Sequence, residues 1–157
     1  MTETYTFFRG GPFSQWTKSK FTIGGLTFNT AEQYMMYRKA LLFDDQDIAS
    51  KIMATGNPKV QKALGRRVRN FDQQVWQNVA TDVVYKGNYA KFTQNRQLLE
   101  VLLATSGTTL VEASPRDKIW GIGLDEATAR STSPDKWPGK NLLGIVLTQV
   151  REDIISS

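Results

Sequence analysis

Between Thr30 and Leu103 the chain is punctuated by signals that start helices, and this narrows the available folds more than any other feature. Thr30 with Gln33 three residues on makes a capping box, which opens a helix over residues 31–43. A second helix is expected over 45–55, stopping at Gly56. Asn57-Pro58 restarts a helix, with Asn as the cap and Pro at the first position. Asp72 opens a long one, in which Val75, Trp76, Val79, Val83 and Val84 recur near helical spacing and Gly87 is a point of weakening or bending. Asn95 caps another through Leu98, Leu99, Leu102 and Leu103. Lys140 to Ile154 reads as a closing helix, with Leu143, Val146, Leu147 and Val150 on one face.

Strands are few. Residues 3–8 alternate loosely and are rich in Thr, Tyr and Phe, which predicts a short strand. Two runs around Gly24-Gly25, Lys20 to Ile23 and Leu26 to Asn29, predict a hairpin with a two-residue turn. Leu110 to Ala113 reads as a buried strand that ends at Ser114-Pro115, and the polar residues 125–139 read as loop. The expected fold is α+β, a single helix-dominated domain over residues 1–157 with a small N-terminal β-hairpin or sheet. A chain of 157 residues is long enough for one sizeable core.

The chain contains neither cysteine nor histidine. Disulfides, thiolate nucleophiles, His-based triads and the usual zinc sites are therefore excluded. A general acid or base here has to be Asp, Glu, Lys or Tyr. No metal-binding cluster is visible, and no cofactor is expected. The N-terminus lacks the basic and apolar regions of a signal peptide, and no run approaches the roughly 20 apolar residues of a membrane span. A cytoplasmic protein with no membrane partner is expected. The net charge of +5 suits an anionic ligand, and equally a surface kept soluble by charge.

Glu32 lies in the first turn of the helix after the hairpin, and Lys39 follows seven residues later. That spacing is close to two turns, so both project from one face, about 10 Å apart. On a partly apolar face such a pair can shift each other's pKa and act in catalysis. The same pair can also be a helix-dipole partner and a solvated charge. The segment from Glu112 to Gly123 combines a strand end, Pro115, Arg116, Asp117, Trp120 and Gly121, suited to a pocket wall or to a tight turn around a core tryptophan. The loop Arg9-Gly10-Gly11-Pro12-Phe13-Ser14-Gln15-Trp16 has a similar make-up, and Gly65-Arg66-Arg67-Val68-Arg69 is a basic cluster that could hold phosphate. Gly121-Ile122-Gly123 lacks the context of a dinucleotide fingerprint.

In order along the chain stand Gly11 to Trp16, Ala31 to Met36 with Lys39-Ala40, Gly65-Arg66 and Asn88 to Phe92. Leu102 to Thr105, Leu110 to Ala113, Asp117 with Trp120-Gly121, and Gly139 to Gly144 follow. This succession resembles the NADAR/YbiA-like family from about Phe7 to Arg151. The YbiA branch usually has Asn where this chain has Gln15 and His where it has Gln33, and a shorter segment between Gly121 and Gly139. The resemblance implies hydrolysis of a ribose C1′–N bond. Two substrate classes belong to the family: phosphoribosylated aminopyrimidines of the riboflavin pathway, and ADP-ribose linked to guanine, including guanine in nucleic acid.

The resemblance implies catalytic roles for Glu32, Lys39 and Asp117. It implies substrate binding by Arg9, Gly10, Phe13, Ser14, Trp16, Trp120, Gly121, Lys140 and Asn141. Glu32 would stabilise the sugar cation and orient water. Lys39 would protonate the leaving group, bind phosphate or form a Schiff base. Trp120 would stack on the base, Asp117 would hold a hydroxyl or water, and Arg9 with Lys140 would meet phosphate. The competing expectations are a non-catalytic module that binds ADP-ribose or a nucleotide, and a plain nucleic-acid binder.

Overall fold

The computed structural model describes residues 3–157. The fold is α+β and helix-dominated, with seven α-helices and four short strands among the described residues. The chain divides into two compact units, one of residues Gln15–Arg96 and one in which the segment before Gln15 joins Gln97–Ser157.

The central unit begins with the hairpin of β2 (Phe21–Ile23) and β3 (Leu26–Phe28). Gly24 and Gly25 turn it at φ of 60° and 82°, a left-handed pair that other residues adopt only with strain. Phe21 and Phe28, opposite each other across the hairpin, pack their rings at 5.7 Å. Helix α1 (Ala31–Leu42) follows directly, capped by Thr30, whose Oγ1 accepts from the Gln33 N–H at 2.9 Å. The Gln33 side chain reaches back one residue further than a standard capping box, accepting from the Asn29 N–H at 2.8 Å. Its amide nitrogen donates to the Ile52 carbonyl at 3.0 Å, which ties α1 to α2 (Gln46–Met53).

Helix α3 (Pro58–Gly65) starts under the Asn57 cap, and α4 (Gln73–Thr93) under Asp72. Helix α4 runs through Gly87 without interruption. The missing side chain makes room for a neighbour: a Cβ there would lie 2.8 Å from Tyr34 Cδ2 on α1. Tyr34 is thus clamped between α4 and the hairpin, with the Phe28 ring edge-on at 5.0 Å.

In the other unit β1 (Tyr5–Phe8) pairs in parallel with β4 (Thr109–Glu112), Tyr5 opposite Thr109 and Phe8 opposite Glu112. Helix α5 (Arg96–Leu103) begins at the boundary of the units. Asn95, expected as its cap, donates its amide to the carbonyls of Lys20 and Lys91. The segment expected as loop over 125–139 is partly helical: α6 (Glu126–Arg130) is capped by Asp125, and a short 3₁₀ turn covers Pro134–Lys136. Trp137 organises it, donating its indole N–H to the Ala129 and Thr132 carbonyls at 3.2 Å while its ring packs on Tyr5 and Phe7.

The closing helix α7 (Leu142–Ser156) starts two residues later than expected, because Asn141 is left-handed at φ 54°. The first N–H groups of α7, from Leu142 and Leu143, are taken up by the carbonyls of Ile119 and Trp120. Gly144 allows α7 to lie against β4, since a Cβ would fall 2.2 Å from the Leu110 carbonyl oxygen.

Candidate active site

Glu32 is 6% exposed, within the first turn of α1. Its N–H donates to the Gln15 carbonyl at 2.9 Å, so the loop after the first strand is fastened at this turn. Gln15 in turn accepts from the buried Asn88 amide at 2.9 Å through its side-chain oxygen. That leaves Gln15 Nε2 and Asn88 Oδ1 buried without hydrogen-bond partners, on a residue pair tied to the Glu32 turn through the Gln15 carbonyl.

Two turns along α1, Lys39 is half-buried with its ammonium 4.5 Å from the centroid of the Phe71 ring. Burial pulls its pKa below the usual lysine value; the Glu32 carboxylate opposes this and the Arg66 guanidinium adds to it. Spacing allowed either a catalytic pair or a dipole partner and a solvated charge; in the folded chain Lys39 is half-buried and the Glu32 charge acts on it. A lysine held in this way can act as an acid, an anion ligand or an amine nucleophile.

A second lysine was not singled out by its spacing. Lys91, on α4, is fully buried, and burial pushes its pKa down to about 7. It lies three residues beyond Asn88, one helical turn, on the same side of α4. Lys91 belongs to the block Asn88 to Phe92 that carries the family resemblance, and that position was the available signal. A fully buried lysine whose proton affinity is lowered by burial is a candidate functional position.

Trp16 also belongs to the central unit and is 41% exposed, with the Lys62 ammonium 5.9 Å from its ring. The remaining candidate residues, Arg9, Gly10, Phe13, Ser14, Asp117, Trp120, Gly121, Lys140 and Asn141, all belong to the other unit. Five of these, Asp117, Trp120, Gly121, Lys140 and Asn141, take part in one set of hydrogen bonds made to or from the backbone. The Asn141 N–H donates to the Gly121 carbonyl at 3.0 Å, and the Lys140 N–H to that of Lys118 at 2.9 Å. Asp117 Oδ1 accepts from the N–H groups of Ile119 and Trp120 at 3.0 and 2.8 Å, so this carboxylate shapes the turn that carries Trp120.

Asn141 is buried and works as a bracket for β4. It accepts from the Glu112 N–H at 2.9 Å and donates to the Leu110 carbonyl at 3.0 Å. Phe13 is committed to the core, edge-on to Phe8 at 5.4 Å. Gly10 supplies a positive φ of 76° in the loop, while Arg9 and Lys140 are exposed.

A model of one family, the NADAR domain, matches residues 6–155. N-glycosidase R617 of Acanthamoeba polyphaga mimivirus is 47% identical, with 97% of each chain covered. The NMR structure of the Escherichia coli protein YbiA superposes at a TM-score of 0.81 and 29% identity, covering 99% of this chain and 88% of its own. The maize chloroplastic riboflavin biosynthesis protein PYRR is 32% identical over 83% of this chain, which spans 20% of that protein's length. Family and relatives define an N-glycosyl hydrolase. The chain belongs to the NADAR family. No helix among the described residues is long and apolar enough to cross a membrane.

Proposed function

We propose that the chain hydrolyses the C1′–N bond of a phosphate-bearing ribosyl N-glycoside, with Glu32 and a lysine of depressed pKa supplying the chemistry. The observation that carries this is the buried carboxylate on α1 coupled to the half-buried amine of Lys39. As the bond breaks, its electron pair goes to the nitrogen, which takes up a proton, and positive charge builds at C1′. Glu32 balances that charge and accepts the proton of the water whose oxygen joins C1′. Lys39 donates to the departing nitrogen or holds the phosphate. Attack of its amine on the opened sugar aldehyde, with loss of water, is the Schiff-base alternative. In the other unit, taken by itself, Asp117 organises the turn that carries Trp120, an aromatic face of the kind a base stacks on.

Two substrates fit this chemistry, a phosphoribosylated aminopyrimidine and guanine-linked ADP-ribose. Similarity to a riboflavin biosynthesis protein supports the first, and the basic charge of the chain suits either. Incubating the protein with each in parallel, and following the free base and sugar by mass spectrometry, separates them. Release of base from one alone assigns the substrate. Binding of ADP-ribose with neither bond cleaved would overturn the hydrolase assignment in favour of a binding module.

A further inference from the structure

Lys39 has a role in the proposed chemistry but little that holds its amine in place. Among the described residues no hydrogen bond and no ion pair reaches its ammonium, although the side chain is half-buried. A lysine amine ends a flexible four-carbon stem, and it settles only where a partner fixes it. The partner here is aromatic. The ammonium lies 4.5 Å from the centroid of the Phe71 ring, well inside the range of a cation–π contact.

Phe71 is itself braced from two sides. Its ring packs on that of Phe43, the residue that ends α1, with centroids 5.4 Å apart and planes at 65°. The loop that carries it is tied to the start of α2, where Asp45 accepts from the Arg69 N–H at 2.9 Å and from its guanidinium at 3.0 Å. The same carboxylate caps α2 through the Ile48 N–H at 3.1 Å. Asn70, left-handed at φ 58°, turns the chain between Arg69 and Phe71. The ring nevertheless stays 43% exposed, so it can be exchanged without opening the core.

We propose that Phe71 is the positioning residue for Lys39: its braced ring holds the ammonium on the side of α1 that carries Glu32. This role rests on the assignment of Lys39 to the hydrolytic site. An aromatic face favours the ammonium over the neutral amine, whereas apolar cover favours the neutral form. Phe71 supplies both, so it fixes the amine while offsetting part of the cost of its burial. Two charges act on the amine, Glu32 from α1 itself and Arg66 from the end of α3. Asp45, at the start of α2, is taken up by Arg69, and among the described residues α4 and β3 bring no charge that acts on Lys39.

The test uses the full chain with its lysines isotopically labelled at Cε. The NMR cross-peak of Lys39, identified by its loss in Lys39→Arg, is followed across pH. Protons held over a ring face are shielded, so the Lys39 Hε signal should lie upfield of those of exposed lysines. Phe71→Leu keeps an apolar cover and removes the π face. Its Lys39 signal should return among the exposed lysines, and the titration midpoint should fall by about half a pH unit to one. Phe71→Tyr should hold both at their wild-type positions. With whichever of the two candidate substrates the wild type cleaves, Phe71→Leu should lower kcat/KM by about 10-fold or more, and Phe71→Tyr should not. The positioning role is overturned if wild-type Lys39 shows no ring shielding, if Phe71→Leu leaves signal and midpoint unmoved, or if that variant, folded, keeps the wild-type kcat/KM. Should the wild type cleave neither substrate while Lys39 is shielded and responds to Phe71→Leu, the hydrolase reading falls and the placement of Lys39 by Phe71 stands.

Discussion

Glu32 has a carboxylate that is buried on the first turn of α1 and close enough to Lys39 to alter its proton affinity. Glu32→Gln keeps the size and the backbone bond to Gln15 while removing the charge. The variant should fold like the wild type by circular dichroism and lose at least ~10²-fold in kcat, the scale of an acid–base group. A folded variant with wild-type kcat would return Glu32 to the role of a helix-dipole partner. The amine question is separate, because Lys39 and Lys91 both have depressed pKa values. Borohydride added during turnover should trap a sugar adduct on one of them if the Schiff-base route operates. Peptide mapping would then say which, and the absence of any adduct leaves proton donation or phosphate binding. Lys39 was legible from its seven-residue spacing to Glu32, whereas the depth of Lys91 depends on the helices packed around α4 and has no signature in the periodicity of the chain.

At the level of elements, the join between β4 and α7 is made by close approach and by one side chain. Asn141→Ala would leave the Glu112 N–H and the Leu110 carbonyl without their side-chain partner, at a cost of about 1–3 kcal/mol for each group left unsatisfied. Gly144→Ala would push a methyl into the Leu110 carbonyl and the Asn141 amide, and overpacking of this kind costs ~1–3 kcal/mol or more. Urea unfolding should show both variants with lowered midpoints. If Asn141→Ala keeps the wild-type midpoint and raises KM instead, its amide serves the substrate more than the strand. Most helix starts were readable from sequence because a cap is a bond between residues two or three apart, as at Thr30, Asn57 and Asp72. The parallel pairing of β1 with β4 was not, since Tyr5 and Thr109 are far apart in sequence and no local bond marks them as partners. The 125–139 segment was misread for a related reason: its polar composition suggests loop, but Trp137 anchors it through the rings of Tyr5 and Phe7.

For the whole molecule, the buried Lys91 makes stability depend on pH in a definite direction. Its pKa is about 7 in the folded chain, against 10.5 for an ordinary lysine. Between those values the unfolded chain holds a proton that the native one does not, so stability rises with pH through this window. At and below about 7 both states are protonated, and the cost of the buried charge is carried in full. The urea midpoint of the wild type should therefore climb from neutral pH into the alkaline range, with Lys39 contributing in the same sense, and Lys91→Met should flatten the climb. A wild-type midpoint that falls over the same range would show that Lys91 keeps its charge when buried. The sequence by itself determined the helix-dominated α+β class, most of the helix starts and the family, because these rest on local bonds and on the order of short blocks along the chain. Only the tertiary structure decided that Lys91 is buried and that Asn141 brackets a strand. Burial and proton affinity depend on which distant residues pack together.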